Sequence, residues 1–138
     1  VSQACPGLAD TISEDREGTR TAAEIRGWVR AALGKMQHPN APVVACLACT
    51  HYGYRKDDFA AAFEEAGISA TVVNPNESAV DDIFGQPPEG AHRDADVRFV
   101  TRYPIPSATV EALTFFLEPI SPRTVAAMQQ FEHVPDLF

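Results

Sequence analysis

Positive charge is scarce in this chain: its 138 residues hold 11 Lys and Arg against 19 Asp and Glu, a formal charge of -8. Such a surface repels phosphate backbones and anionic headgroups, and no basic run offsets it, so neither nucleic acid nor a membrane is an expected partner. Long apolar runs are missing too, since no stretch approaches the roughly 18 residues of a membrane span. The opening "VSQACP" lacks the basic-then-apolar plan of a signal peptide. Cytoplasmic residence is therefore expected. Three cysteines cannot all pair with one another and are too few to staple a scaffold, which makes reduced thiols the default. What is present suits one ordinary globular domain, with 45% apolar and 22% charged residues. No internal repeat or low-complexity segment interrupts it. The chain opens on Val1 and not on Met, so its first residues read as the continuation of something already under way.

Between Thr21 and Met36 the apolar residues fall at Ala22, Ile25, Trp28, Val29, Ala32, Leu33 and Met36, the rhythm of an amphipathic helix. Thr21 with Glu24 suggests a capping box, and Pro39 and Pro42 stop the pattern. "VVACLA" (43–48) is short and apolar throughout, which predicts a strand covered on both faces, as in a parallel sheet. A helix over 57–66 follows, with Phe59, Ala62, Phe63 and Ala66 on one face and Gly67 ending it. "ISATVV" (68–73) predicts a second strand, 76–85 a short helix, 86–95 a loop and "VRFVT" (97–101) a third strand. Helices are expected over Ser107–Leu117 and from Pro122, with the last six residues frayed. Strands alternating with helices describe an α/β protein with a mostly parallel sheet and flanking helices, though three strands make a thin sheet.

The chemistry concentrates in "ACLACTHYG" (45–53). Cys46 and Cys49 have the spacing of a redox or metal pair, but three positions apart on a strand point to opposite faces, and no second ligand pair accompanies them. No metal site is expected, and Cys46 reads as a buried, inert thiol. Cys49 falls where the strand ends, the rim at which open α/β sheets bind ligands. Thr50 offers a hydroxyl and an N–H to a substrate carboxylate, and His51 can donate to a thiolate or pass a proton. A strand-end Cys and His that only pack would give the same pattern.

These residues resemble the glutamate racemases. "ACTHYG" is similar to that family's second cysteine motif, Gly-Cys-Thr-His-Tyr/Phe-Pro at the end of an apolar strand, and "SQACPGLADTISED" to its Ala-Cys-Pro-Leu-Phe-Val-Pro segment. "SATVVNPNESAVDDI" and "VRFVTRYPIPSATVEALTFFL" follow in the family's order. The family's Cys-Asn-Thr-Ala motif and its amino-terminal Asp-Ser pair have no counterpart, so the resemblance is to the carboxyl-terminal half alone. It implies half of a two-domain racemase-type architecture, with about 1–66 from the second domain and about 67–138 returning toward the first.

The implied activity is cofactor-independent interconversion of L- and D-glutamate for peptidoglycan precursor synthesis, by two cysteines on opposite faces of the substrate's Cα. Cys49 would be one acid/base and His51 its assistant. Thr50 and His51 would bind the amino acid, and Glu14 would support the histidine. The other thiol would come from the amino-terminal half, so this chain alone is expected to be inactive. A homodimer is one arrangement open to it. Gly53 stands where the family usually has Pro, and Asn74 where Asp is common. Racemisation of aspartate or another amino acid, or a non-catalytic remnant serving as an interaction module, are the alternatives.

Overall fold

The computed structural model describes residues 1–38, 40–85 and 96–137. The loop expected over 86–95, with His92, and the helix-stopping Pro39 lie outside them. The chain divides into two compact units, Val1–Pro87 and Pro88–Phe138, each mixing helices with a small parallel sheet.

In the first unit, α1 (Leu8–Glu14) and α2 (Thr19–Leu33) precede β1 (Val43–Cys46), a 3₁₀ helix (Thr50–Arg55), α3 (Lys56–Glu65), β2 (Ala70–Val73) and α4 (Pro75–Phe84). β1 and β2 pair in parallel from Val43 opposite Ala70 to Cys46 opposite Val73. Parallel neighbours need a crossover, which α3 supplies. Gly67, at φ 74°, ends α3: the Gly67 N–H donates to Glu64 and the Ile68 N–H to Phe63, closing the last turn before the chain re-enters the sheet. One stripe of α2, Thr21, Ile25 and Val29, is buried. It meets Leu8 and Ile12 of α1 and Phe59, Ala62 and Phe63 of α3 in one core, over the inner face of the sheet.

Three expectations for this unit are corrected. β1 is not covered on both faces: Val43 and Ala45 pack inward, whereas Val44 is 68% exposed. Cys46 lies on that outer face and is exposed, so it is not a buried thiol. The two-residue period of the strand decides this, because neighbours cannot share a face. The capping box is also absent. α2 begins two residues earlier, after Gly18 in the left-handed region (φ 79°), and Thr21 is held by Asp15, whose Oδ2 accepts from the Thr21 N–H (2.8 Å) and hydroxyl (2.9 Å). Glu24 instead accepts from the Thr11 hydroxyl at 3.1 Å, tying α2 to α1.

Burial raises the Asp15 pKa, but the bonds from Thr21, the Gly18 N–H and the charge of Arg55 outweigh it and hold the carboxyl below its ordinary value. The unfolded chain then binds this proton at higher pH than the folded one. The stabilisation is therefore present above the ordinary carboxylate pKa of about 4 and is lost as pH falls through the folded value. Urea midpoints measured from pH 6 downward should fall less steeply below about pH 4 in Asp15→Asn than in the parent chain.

In the second unit, β3 (Val100–Thr101), α5 (Ser107–Leu117), α6 (Pro122–Gln129) and β4 (Glu132–His133) follow in order. Pro122 opens α6 as expected, and Ala112, Val125 and Met128 are buried. The strand expected over 97–101 shrinks to two residues and does not extend the first sheet. It pairs in parallel with β4, Val100 opposite Glu132 and Thr101 opposite His133. The fraying expected at the end of the chain is corrected for the described part of it, 133–137: the Val134 N–H donates to Thr101 O at 2.9 Å, and His133 Nε2 lies 3.0 Å from Arg102 O. That pairing carries no local signal, because its partner lies 32 residues upstream.

Candidate functional site

Beyond Cys46 the chain stays extended. Leu47 is buried and its N–H still bonds Val73 O at 2.9 Å. Cys49 retains extended dihedrals (φ -139°, ψ 136°) and its carbonyl accepts the Tyr52 N–H at 3.1 Å, which turns the chain into the 3₁₀ helix. Cys49, Thr50 and His51 therefore stand past the carboxyl end of β1, on the rim where the strand reading puts them.

Contacts of three kinds fix that helix. Arg55, its side chain 12% exposed, donates from Nη2 to the carbonyls of Asp15 (2.7 Å) and Arg16 (3.2 Å), and Nη1 lies 3.7 Å from Asp58. The guanidinium occupies the space a side chain at Gly18 would need. Gly53 packs against the side chain of Asn74 so closely that a Cβ would overlap it. Asn74 Oδ1 in turn accepts from the Asn76 N–H at 3.2 Å and caps α4. The two departures at positions 53 and 74 are thus neighbours in space, a glycine making room for an asparagine cap. Finally, the Tyr52 hydroxyl donates to Cys5 O at 3.3 Å, and its ring lies 5.6 Å from that of Phe59.

On this support Cys49 Sγ lies 3.9 Å from His51 Nδ1, and Thr50 Oγ1 lies 3.5 Å from the same nitrogen. Cys49 and His51 are half-buried and Thr50 is exposed. One ring nitrogen thus faces both a sulfur and a hydroxyl, so a proton can pass between thiol and imidazole while Thr50 remains open to a ligand. Glu14 does not join them. It sits on the exposed side of α1, where Oε2 accepts from Arg20 at 3.2 Å, and among the described residues no hydrogen bond links it to His51. Expectation and structure part here because a helix-end carboxylate finds the nearest cation of the next helix. Among the described residues no group of three or more His, Cys, Asp and Glu could hold a metal ion.

Tyr52 is an addition that the motif does not announce, and Cys5, which the sequence leaves outside the site, is its hydrogen-bond partner. Burial pushes the Tyr52 hydroxyl up to about 12, with the sulfurs of Cys5 and Cys49 reinforcing the shift, so the phenol stays protonated as a donor. Burial likewise pushes the Cys5 thiol up, opposed by the Tyr52 bond. The Tyr52 hydroxyl bond to Cys5 O spans 47 residues, a separation that no spacing rule reads. Among the described residues no helix is long and apolar enough to cross a membrane. No protein-family model, curated protein or solved structure matches the chain.

Proposed function

We propose that the chain is the carboxyl-terminal half of a glutamate-racemase-like enzyme and supplies one of its two acid/base thiols. The observation that carries the reading is the 3.9 Å approach of Cys49 Sγ to His51 Nδ1 beyond the carboxyl end of β1. In the proposed reaction the Cys49 thiolate takes the α-proton from one face of the amino acid, leaving a carbanion conjugated with its carboxylate. A thiol of the amino-terminal half gives a proton to the opposite face, so one proton leaves, one arrives and the configuration inverts. His51 keeps the Cys49 proton mobile, and Thr50 with His51 binds the substrate. An α-proton of an amino acid is very weakly acidic, so the chemistry depends on a placed base in a dry cleft between two halves. The cleft would be completed by the amino-terminal half, and a homodimer of the completed enzyme remains part of the proposal.

Two measurements on the purified chain test this. Chiral chromatography should find no D-glutamate growing from L-glutamate, and turnover that vanishes in Cys49→Ser would show that one thiol suffices and overturn the half-site. In parallel, millimolar L- or D-glutamate should slow alkylation of Cys49 but not of Cys46, more than aspartate does. Stronger protection by aspartate would move the substrate to that acid. Absence of protection by any amino acid favours the interaction module and contradicts the racemase.

A further inference from the structure

A groove of about 610 Å³ opens between α1 and α2 of the first unit, inside the range of about 300–1,000 Å³ that small-molecule sites occupy. Its lining is apolar at Pro6, Gly27, Trp28 and Ala31, and among the described residues its one charged group is Glu24. Both oxygens of that half-buried carboxylate lie 3.1 Å from the Thr11 hydroxyl. One hydroxyl hydrogen fills one of about four acceptor positions a carboxylate presents, so capacity remains. No cation uses it. Arg20, one turn earlier on α2, pairs with Glu14 at 3.2 Å, Arg26 lies 3.9 Å from Glu65, and among the described residues no Lys, Arg or His pairs with Glu24. Gly27 adds a second observation. It stands in the middle of the 15-residue α2, it is not among the glycines at positive φ, and a Cβ there would meet nothing within 4 Å. Neither a turn nor a close neighbour demands glycine, although alanine makes the better helix. What Gly27 does keep is an open floor on the face it shares with Glu24, Trp28 and Ala31.

We propose that this groove binds an alkylammonium group, carried by a free aliphatic amine or by a lysine side chain. The ammonium meets Glu24, and the alkyl stem lies over Gly27 against Pro6, Trp28 and Ala31. The charge is selected by a carboxylate that has acceptor positions to spare and no partner of opposite sign. The stem is selected by the apolar walls, which it removes from water while the head stays at the polar end, as long amine side chains do on protein surfaces. An anion is excluded, glutamate included, because Glu24 repels its carboxylates and the lining supplies no cation to offset this. The site is thus distinct from the one proposed for glutamate, and neither Cys49, Thr50 nor His51 lines it.

Trp28 is the only tryptophan of the chain, so its fluorescence reports on the groove directly. The test titrates the full chain with n-pentylammonium chloride and with 1-pentanol, at fixed ionic strength and at pH 7, where an alkylamine carries its charge. These probes share a stem and differ in the head. Pentylammonium should shift the Trp28 emission saturably, with pentanol about fivefold weaker, the upper end for an ion pair open to solvent. Glu24→Gln, which keeps an acceptor for the Thr11 hydroxyl, should bring pentylammonium down to the pentanol level. Gly27→Leu, which suits a helix and fills the groove, should weaken both probes; should it fail to fold, Glu24→Gln still decides. Nα-acetyl-lysine methylamide separates the two sources: binding as tight as pentylammonium assigns the groove to a lysine side chain, and weaker binding assigns it to a free amine. No saturable shift with either ammonium probe, equal affinity for pentylammonium and pentanol, or ammonium binding untouched by Glu24→Gln would each overturn the proposal. None of these readouts uses glutamate or the reactivity of Cys49, so this inference can fail while the racemase reading stands, and the reverse.

Discussion

Ile25→Ala is expected to destabilise the first unit by about 3 kcal/mol, the middle of the range for truncating a fully buried isoleucine. Ile25 has no exposed surface, and it stands where α1, α2 and α3 meet over the sheet. The loss combines the transfer energy of the removed carbons with the cavity left behind, since tightly packed neighbours relax only in part. Set against a total of roughly 5–15 kcal/mol for a domain, it removes a large share. Urea unfolding should show the midpoint falling with the slope unchanged. Ile83→Ala is the control: Ile83 is 72% exposed and its truncation should move the midpoint by less than about 0.5 kcal/mol.

Arg55→Ala should cost nearly as much, about 2–3 kcal/mol, by a different route. The guanidinium satisfies the carbonyls of Asp15 and Arg16 at once while almost fully covered. Charged hydrogen bonds of this kind contribute about 1.5–3 kcal/mol, and their removal leaves the acceptors short of a donor. Arg55→Lys should recover less than half of the loss, because one ammonium cannot reproduce the planar fork. The stability loss should be accompanied by loosening of the 3₁₀ helix, visible as faster amide exchange at Tyr52, whose N–H closes its first turn. Stability unchanged in Arg55→Ala would mean that Thr50 and His51 are positioned by Tyr52 and the Gly53–Asn74 contact alone.

How much of this was legible beforehand depended on the range of the interaction. The stripe of Ile25 and Val29, the inward face of α3 and the left-handed stop at Gly67 are set by neighbours within two helical turns, and periodicity reads them directly. Cys49 and His51 are two residues apart, so their approach was also within reach once the strand end was located. Cys46 departs from the buried thiol its apolar neighbours suggest because an apolar run does not require two covered faces: the strand is amphipathic in its burial though not in its composition. Glu24 has the local spacing of a partner for Thr21 but bonds Thr11, thirteen residues away. Asp15, Arg55, Tyr52 and Cys5 form the scaffold of the site through contacts spanning 40 or more residues, apart from the shorter Asp15–Thr21 bond. No window of sequence contains such pairs. The pairing of β3 with β4 failed to show for the same reason.

The proposed site turns on whether Cys49 is an activated thiol, and the exposure of Cys46 now supplies an internal reference. The rate of iodoacetamide alkylation at each cysteine near neutral pH, resolved by peptide mass mapping, measures this directly. The account predicts Cys49 fastest, although Cys46 is the more exposed, and Cys5 slowest because burial holds its proton. His51→Asn should slow Cys49 about tenfold while leaving Cys46 as it was, the effect of removing a nearby imidazole from a thiol. Alkylation of Cys49 no faster than that of Cys46, or unaffected by His51→Asn, would contradict it.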